Sequence, residues 1–241
     1  MNMRKAINRY VLPLCLMLLL ALSLAGHGMA VQIIKFKDVP SGSWFEESVD
    51  WAVKKNITKG TSTLEFSPSE TCNNAQVITF LWRASGSPDT EIENPFTDIS
   101  SGSYYYKAAL WAYEKGMISG RQFGPEKPCT RSAVVTYLWQ MAGSAPVGAG
   151  TQFEDVDSDS AFASAVAWAV DMGITTGTGS VTFSPDVTCT RAQVMTFLYR
   201  GKDVLVTDGD NSTSADGNEG KLIPVEPAPS EDGSDMKLVW Q

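Results

Sequence analysis

The chain has 241 residues, 43% of them apolar, and a formal charge of −8 from 27 acidic and 19 basic side chains. An acidic surface of this kind is a poor match for nucleic acid or anionic lipid. A single histidine, His27, leaves almost no scope for imidazole acid–base chemistry, a catalytic triad or the commonest metal ligand.

Residues 1–30 read as a secretory signal. Arg4, Lys5 and Arg9 form the charged start, Val11 to Ala25 is apolar, and Gly28-Met29-Ala30 supplies small residues for cleavage. The apolar run is short for a membrane span. Cleavage would remove His27 and three cations, taking the charge to −11, and would leave an exported chain with no membrane insertion. It would also leave three cysteines, Cys72, Cys129 and Cys189. Pairing cannot use an odd number, so the expected role is a small buried apolar residue.

Beyond residue 30 one pattern occurs three times, at 31–83, 96–141 and 153–200, with Gly/Ser/Pro linkers at 84–95 and 142–152. Phe36-Lys37-Asp38-Val39 returns as Phe96-Thr97-Asp98-Ile99 and as Phe153-Glu154-Asp155-Val156. Trp51, Trp111 and Trp168 follow at one spacing, then Gly60, Gly120 and Gly177, then Phe66, Phe123 and Phe183, and then the three cysteines. The one length difference falls between the glycine and the second phenylalanine, which marks that segment as a surface loop. A repeat of this length is one supersecondary unit that buries its apolar face against its copies.

Within each unit the spacing predicts a helix starting at Ser43, Ser103 or Ser160 as N-cap, with Ser43 and Glu46 as a capping box. Its apolar face is Phe45, Val49, Ala52 and Val53 and their equivalents, with the tryptophans as core or interface anchors. It ends at Asn56, Gly116 or Gly173, residues that accept a left-handed C′ conformation. A loop with Phe66-Ser67-Pro68, Phe123-Gly124-Pro125 or Phe183-Ser184-Pro185 follows. The second helix starts after Asn73, Thr130 or Thr190 as N-cap, and its apolar face is Val77, Phe80 and Leu81, then Val134, Tyr137 and Leu138, then Val194, Phe197 and Leu198. Each helix–loop–helix unit holds too little core to stand alone, so an all-α body with the three packed together is expected. Residues 201–241 are rich in acidic residues, Gly, Ser and Pro, and read as a disordered acidic tail.

Arg131 and Arg191 carry the chemistry. Each follows a Thr cap, where a cation opposes the helix dipole at a cost of about a few tenths of a kcal/mol. Thr190 and Gln193 can form a capping box without the arginine. Two readings stand. The guanidinium and free N–H groups at a helix start form an oxyanion site, or each arginine pairs with a carboxylate such as Asp98 or Asp155.

The ordered series Phe153-Glu154-Asp155-Val156, Trp168-Ala169, Gly173-Ile174-Thr175-Thr176-Gly177, Phe183-Ser184-Pro185 and Thr190-Arg191-Ala192-Gln193 resembles the S-layer homology module. The resemblance covers about residues 36–200, all three units. It implies a pseudo-threefold, three-pronged helical body that anchors an exported protein, without catalysis and without a cofactor, to acidic and often pyruvylated secondary cell-wall polysaccharide. It further implies that Arg131 and Arg191, with Thr130, Thr190 and Gln193, bind the polymer in grooves between modules. In module 1 the motif is Asn73-Asn74-Ala75-Gln76, where Asn74 replaces the arginine, so that site is expected to be degraded. The implied location is the bacterial cell wall or S-layer, with Met236–Gln241 as a candidate tether for a protein partner. Two rivals remain: an adaptor that binds another surface protein, with structural arginines, and, more distantly, a carbohydrate-active enzyme working through carboxylates alone.

Overall fold

The computed structural model describes residues 35–148 and 150–205. The expected signal at 1–30 and residues 206–241 of the expected tail, including Met236–Gln241, lie outside the described residues. Six α-helices are found among the described residues: α1 Glu46–Lys54, α2 Asn74–Ala84, α3 Tyr106–Glu114, α4 Arg131–Met141, α5 Ala163–Asp171 and α6 Arg191–Arg200, with a final 3₁₀ turn at Lys202–Leu205. No strand occurs among them, so the body is all-α as expected.

The first helices do not start at the predicted caps. α1, α3 and α5 begin three residues later, after Phe45, Tyr105 and Phe162, and none of these has a side-chain cap. The serines contribute carbonyls instead of hydroxyls: the N–H of Glu46, Tyr106 and Ala163 donates to Ser43, Ser103 and Ser160, at 3.0, 3.0 and 3.1 Å. Each of these tight i→i+3 turns takes up the N–H three residues on that the serine hydroxyl would have accepted as a cap. The capping box fails for the same reason, because the Glu46 carboxylate accepts from Gly42 N instead, at 2.6 Å.

The helix ends follow the prediction. Asn56, Gly116 and Gly173 have φ of 58, 72 and 67°. In α1 the N–H of Ile57 donates to Ala52 O at 2.8 Å and that of Asn56 to Val53 O at 3.0 Å, and both other modules repeat this pair. This is the Schellman arrangement, which satisfies two orphan carbonyls and turns the chain toward the next loop.

That loop is pinned by the aspartate of the leading motif. Asp38 accepts from Phe66 N and Ser67 N at 2.8 and 2.7 Å, and Asp155 accepts from Phe183 N and Ser184 N at the same two distances. Asp98 does this for Phe123 and Gly124, at 3.0 and 2.7 Å. Burial pushes the Asp98 carboxyl up, but these backbone donors outweigh it and hold it below its ordinary value. The fold thus uses each of these carboxylates to hold the loop that follows. Phe66 and Phe183 sit fully buried behind them, each contributing about 1.5–3 kcal/mol through apolar burial.

The modules join by exchange. The main helix pairs lie between modules: α2 packs on α3, α4 on α5 and α6 on α1, so the chain's last module closes onto its first. At the centre of this cycle the cysteine backbones bond in turn, Cys72 N to Cys189 O at 2.9 Å, Cys129 N to Cys72 O at 2.9 Å and Cys189 N to Cys129 O at 3.0 Å. All three thiols are free and buried, as the reading of a small apolar residue requires. One core runs through residues of all three modules. It also extends past Arg200: the 3₁₀ turn buries Leu205, so the ordered body continues into the first residues assigned to the tail.

Candidate functional site at the module junctions

Each second helix starts against the loop of the next module. Asn73, Thr130 and Thr190 are the N-caps, accepting from the N–H of Gln76, Ala133 and Gln193. Asn73 with Gln76 and Thr190 with Gln193 form full capping boxes, so the side-chain oxygens of these four residues are engaged within their own helices.

The next two N–H groups reach across to the neighbour. Arg191 N donates to Glu70 O at 2.8 Å and Ala192 N to Pro68 O at 3.0 Å; Arg131 N donates to Val187 O at 2.9 Å and Ser132 N to Pro185 O at 3.0 Å. In module 1, Asn74 N donates to Lys127 O at 2.9 Å and Ala75 N to Pro125 O at 3.0 Å. The helix-start amides expected to be free for an anion are therefore already used by the junction. A neighbour's carbonyls stand where an oxyanion would.

The arginine side chains complete these joints. Arg191 Nε donates to Phe66 O at 2.8 Å, and its guanidinium carbon lies 4.9 Å from the Phe66 ring centre and 5.5 Å from that of Phe80. Arg131 Nε donates to Phe183 O at 2.9 Å, with the Phe183 and Phe197 ring centres 4.9 and 5.2 Å away. Both arginines are almost wholly buried, with 3% of Arg131 and 4% of Arg191 exposed. A cation between aromatic rings and on a carbonyl offsets much of its desolvation and its opposition to the helix dipole. Burial nonetheless pulls the Arg191 guanidinium down from its ordinary value, while Cys72, Glu70 and Asp38 push it back up. Its Nη2 is buried and has no hydrogen-bond partner.

The module 1 junction differs. Asn74 Nδ2 reaches Gly124 O at 3.1 Å, and Asn73 Nδ2 meets the Glu126 carboxylate at 2.9 Å. An amide and a carboxylate stand where the other junctions have a cation.

Sequence reasoning found the arginines but missed their aromatic partners. Phe66 and Phe183 were read as loop markers, and Phe80 and Phe197 as members of an apolar helix face. Their recurrence in fixed register with the arginines was the available signal. Among the described residues no group of three His, Cys, Asp or Glu is placed to hold a metal, and no helix is long and apolar enough to cross a membrane.

A cycle of three helical modules, with a cation buried at two of its three joints, is the architecture these residues define. The chain matches the S-layer homology domain at 35–78, 95–134 and 152–195, and it belongs to that family. It is 25% identical to exoglucanase XynX of Acetivibrio thermocellus over 71% of this chain and 16% of the exoglucanase. Against an amylopullulanase of Thermoanaerobacterium thermosulfurigenes it is 27% identical, over 68% of this chain and 9% of that enzyme. With the S-layer protein sap of Bacillus anthracis it shares 24% identity over 75% of this chain and 23% of that protein. The chain spans less than a quarter of the length of each of these relatives.

Proposed function

We propose that this protein is a non-catalytic anchor at the bacterial cell surface, holding to the cell wall through an acidic, pyruvylated secondary polysaccharide. Membership of the S-layer homology family supports the anchoring role, and the likeness to S-layer proteins of Bacillus supports the location. What the enzymes among its relatives have in common with it amounts to a small part of each of them. The observation that carries the ligand reading is a guanidinium clamped at a module junction, by its Nε at Arg131 and Arg191, ahead of any ligand. A cation fixed in this way loses little entropy when an anionic sugar substituent meets it. Two such joints on one body would give avidity on a repeating polymer.

The test is co-sedimentation with purified walls that carry a pyruvylated polymer, before and after mild acid strips the ketal. Wild type should sediment with intact walls and remain in solution with stripped ones. An Arg131→Gln/Arg191→Gln double variant, shown folded by circular dichroism, should sediment with neither. The burial of both arginines favours the second reading, a surface adaptor whose arginines only join modules. Full wall binding by the folded double variant would select that reading.

A further inference from the structure

We propose that module 1 carries an interaction surface of its own, a face of five exposed lysines, and that its occupant is the acidic segment 206–241 of the same chain. Nothing in this depends on the wall-anchoring reading above.

Lys35, Lys37, Lys54, Lys55 and Lys59 are all exposed, and the fold gathers them. Lys54 ends α1 and Lys55 is its C-cap, and the left-handed Asn56 then turns the chain toward Lys59. Gly60, next in line, lies so close to the Phe36 ring that an added Cβ would come within 2.5 Å of it. Lys35 and Lys37 flank that phenylalanine, and Lys37 N donates to Leu64 O at 2.8 Å in the same loop. None of the five is in an ion pair among the described residues, where the pair found joins Lys107 to Asp89. Asp38, the carboxylate beside Lys37, is engaged with the Phe66 and Ser67 amides.

Neither of the other modules has such a face. The five equivalent positions hold one cation and one anion in module 2, Lys115 and Glu114, and two anions with no cation in module 3, Glu154 and Asp171. The same helix end and the same turn form in all three, so the fold does not require the lysines. Five unpaired cations on one face repel one another, and an opposing polyanion relieves that cost.

The chain carries such a polyanion itself. Between 206 and 241 stand eight acidic and two basic side chains, and the segment starts where the described body ends. The 3₁₀ turn at Lys202–Leu205 packs on α2. The last turn of α2 in turn reaches the lysine loop through Arg83, whose Nη1 donates to Ile57 O at 3.1 Å. An extended chain covers about 3.3 Å per residue, so about a dozen residues would cross a body of this size. The remainder can lie along the lysines. Because the acids are tethered to the body they act at high effective concentration, and ion pairs too weak to hold a free peptide then suffice.

The test compares backbone amide spectra of the whole chain with those of a variant whose eight carboxylates in 206–241 are replaced by the matching amides. In about 0.02 M salt, residues 35–37 and 54–59 should differ between the two proteins, while the equivalent segments 95–97, 114–119, 152–154 and 171–176 should not. In about 0.5 M salt the difference should vanish, because exposed charges are then screened. Acetylation of the five lysines by an activated ester should run about fivefold faster in the variant, the effect of two or three exposed ion pairs held together, with Lys115 unchanged. In a background with all five lysines changed to Gln, neutralising the segment should alter nothing in module 1. Equal differences in all three modules, no difference at low salt, or an effect that survives the loss of the lysines would overturn the proposal. So would wild-type signals that move toward those of the variant on dilution at constant salt, since the segment would then be reaching a second copy.

Discussion

Gly60, Gly120 and Gly177 occupy equivalent places with φ of 82, 82 and 95°, yet their surroundings differ. A Cβ at Gly60 would land on the Glu65 carbonyl and the Phe36 ring, and one at Gly177 on the Thr182 carbonyl and the Phe153 ring. At Gly120 nothing lies within 4 Å, because the loop there is shorter and its carbonyl passes elsewhere. Alanine at Gly120 should therefore cost about 1 kcal/mol for the left-handed backbone alone. At Gly60 or Gly177 it should cost more than about 2 kcal/mol, since the clash adds to that strain. Denaturant melts of the three variants would check the order, and equal losses would refute the role assigned to the loop. Asp98 supplies a pH-dependent test at the same scale. Its carboxyl is held below the ordinary 3.8, so its contribution is present above that pH and is lost as pH falls through the lower folded value. Asp98→Asn should melt earlier than wild type at neutral pH, and the gap should close on acidification.

At the scale of helices, the seam between α6 and α1 is marked by Tyr199. Its ring meets Trp51 at 5.7 Å in an edge arrangement, its hydroxyl donates to the Glu47 carboxylate, and Lys202 lies over its face. The bond to Glu47, more than burial, pushes the phenol up from 10.0 to about 12. A raised acid of this kind stabilises the fold below its ordinary value, and that stability is lost as pH rises through about 12. Tyr199→Phe should accordingly be less stable than wild type at pH 8, with the difference vanishing toward pH 12; thermal melts across that range measure it. The helices also show which local signals can be trusted. Asn73, Thr130 and Thr190 cap as expected because their side chains meet their own backbone three residues on. Ser43, Ser103 and Ser160 do not cap, because a tight turn anchored by the preceding motif claims the same donors first. Sequence spacing placed the helix within three residues but could not see that competition.

For the molecule as a whole, closure of module 3 onto module 1 predicts unfolding as one unit, with Cys72, Cys129 and Cys189 at the point where all three modules meet. Burial pushes the Cys72 and Cys189 thiols up to about 12 and the Cys129 thiol higher still. Thiolate is then negligible at pH 8, so a disulfide reagent should modify all three at a single slow rate equal to that of global unfolding. Rapid labelling of any one of them in folded protein would mean that a junction opens separately.

The helix ends and the second set of caps were legible in the linear chain because each depends on residues within a turn or two, and the triplicate pattern, the cysteines and the two arginines because they recur at fixed positions in each unit. Which module pairs with which was not, nor was the fate of the arginines. Arg191 meets Phe66 across 125 residues, and no local propensity encodes a contact of that range. Only the closed packing of three incomplete units, each short of core, turned a cation at a helix start into a buried joint. That same packing consumed the amides an anion would otherwise have used.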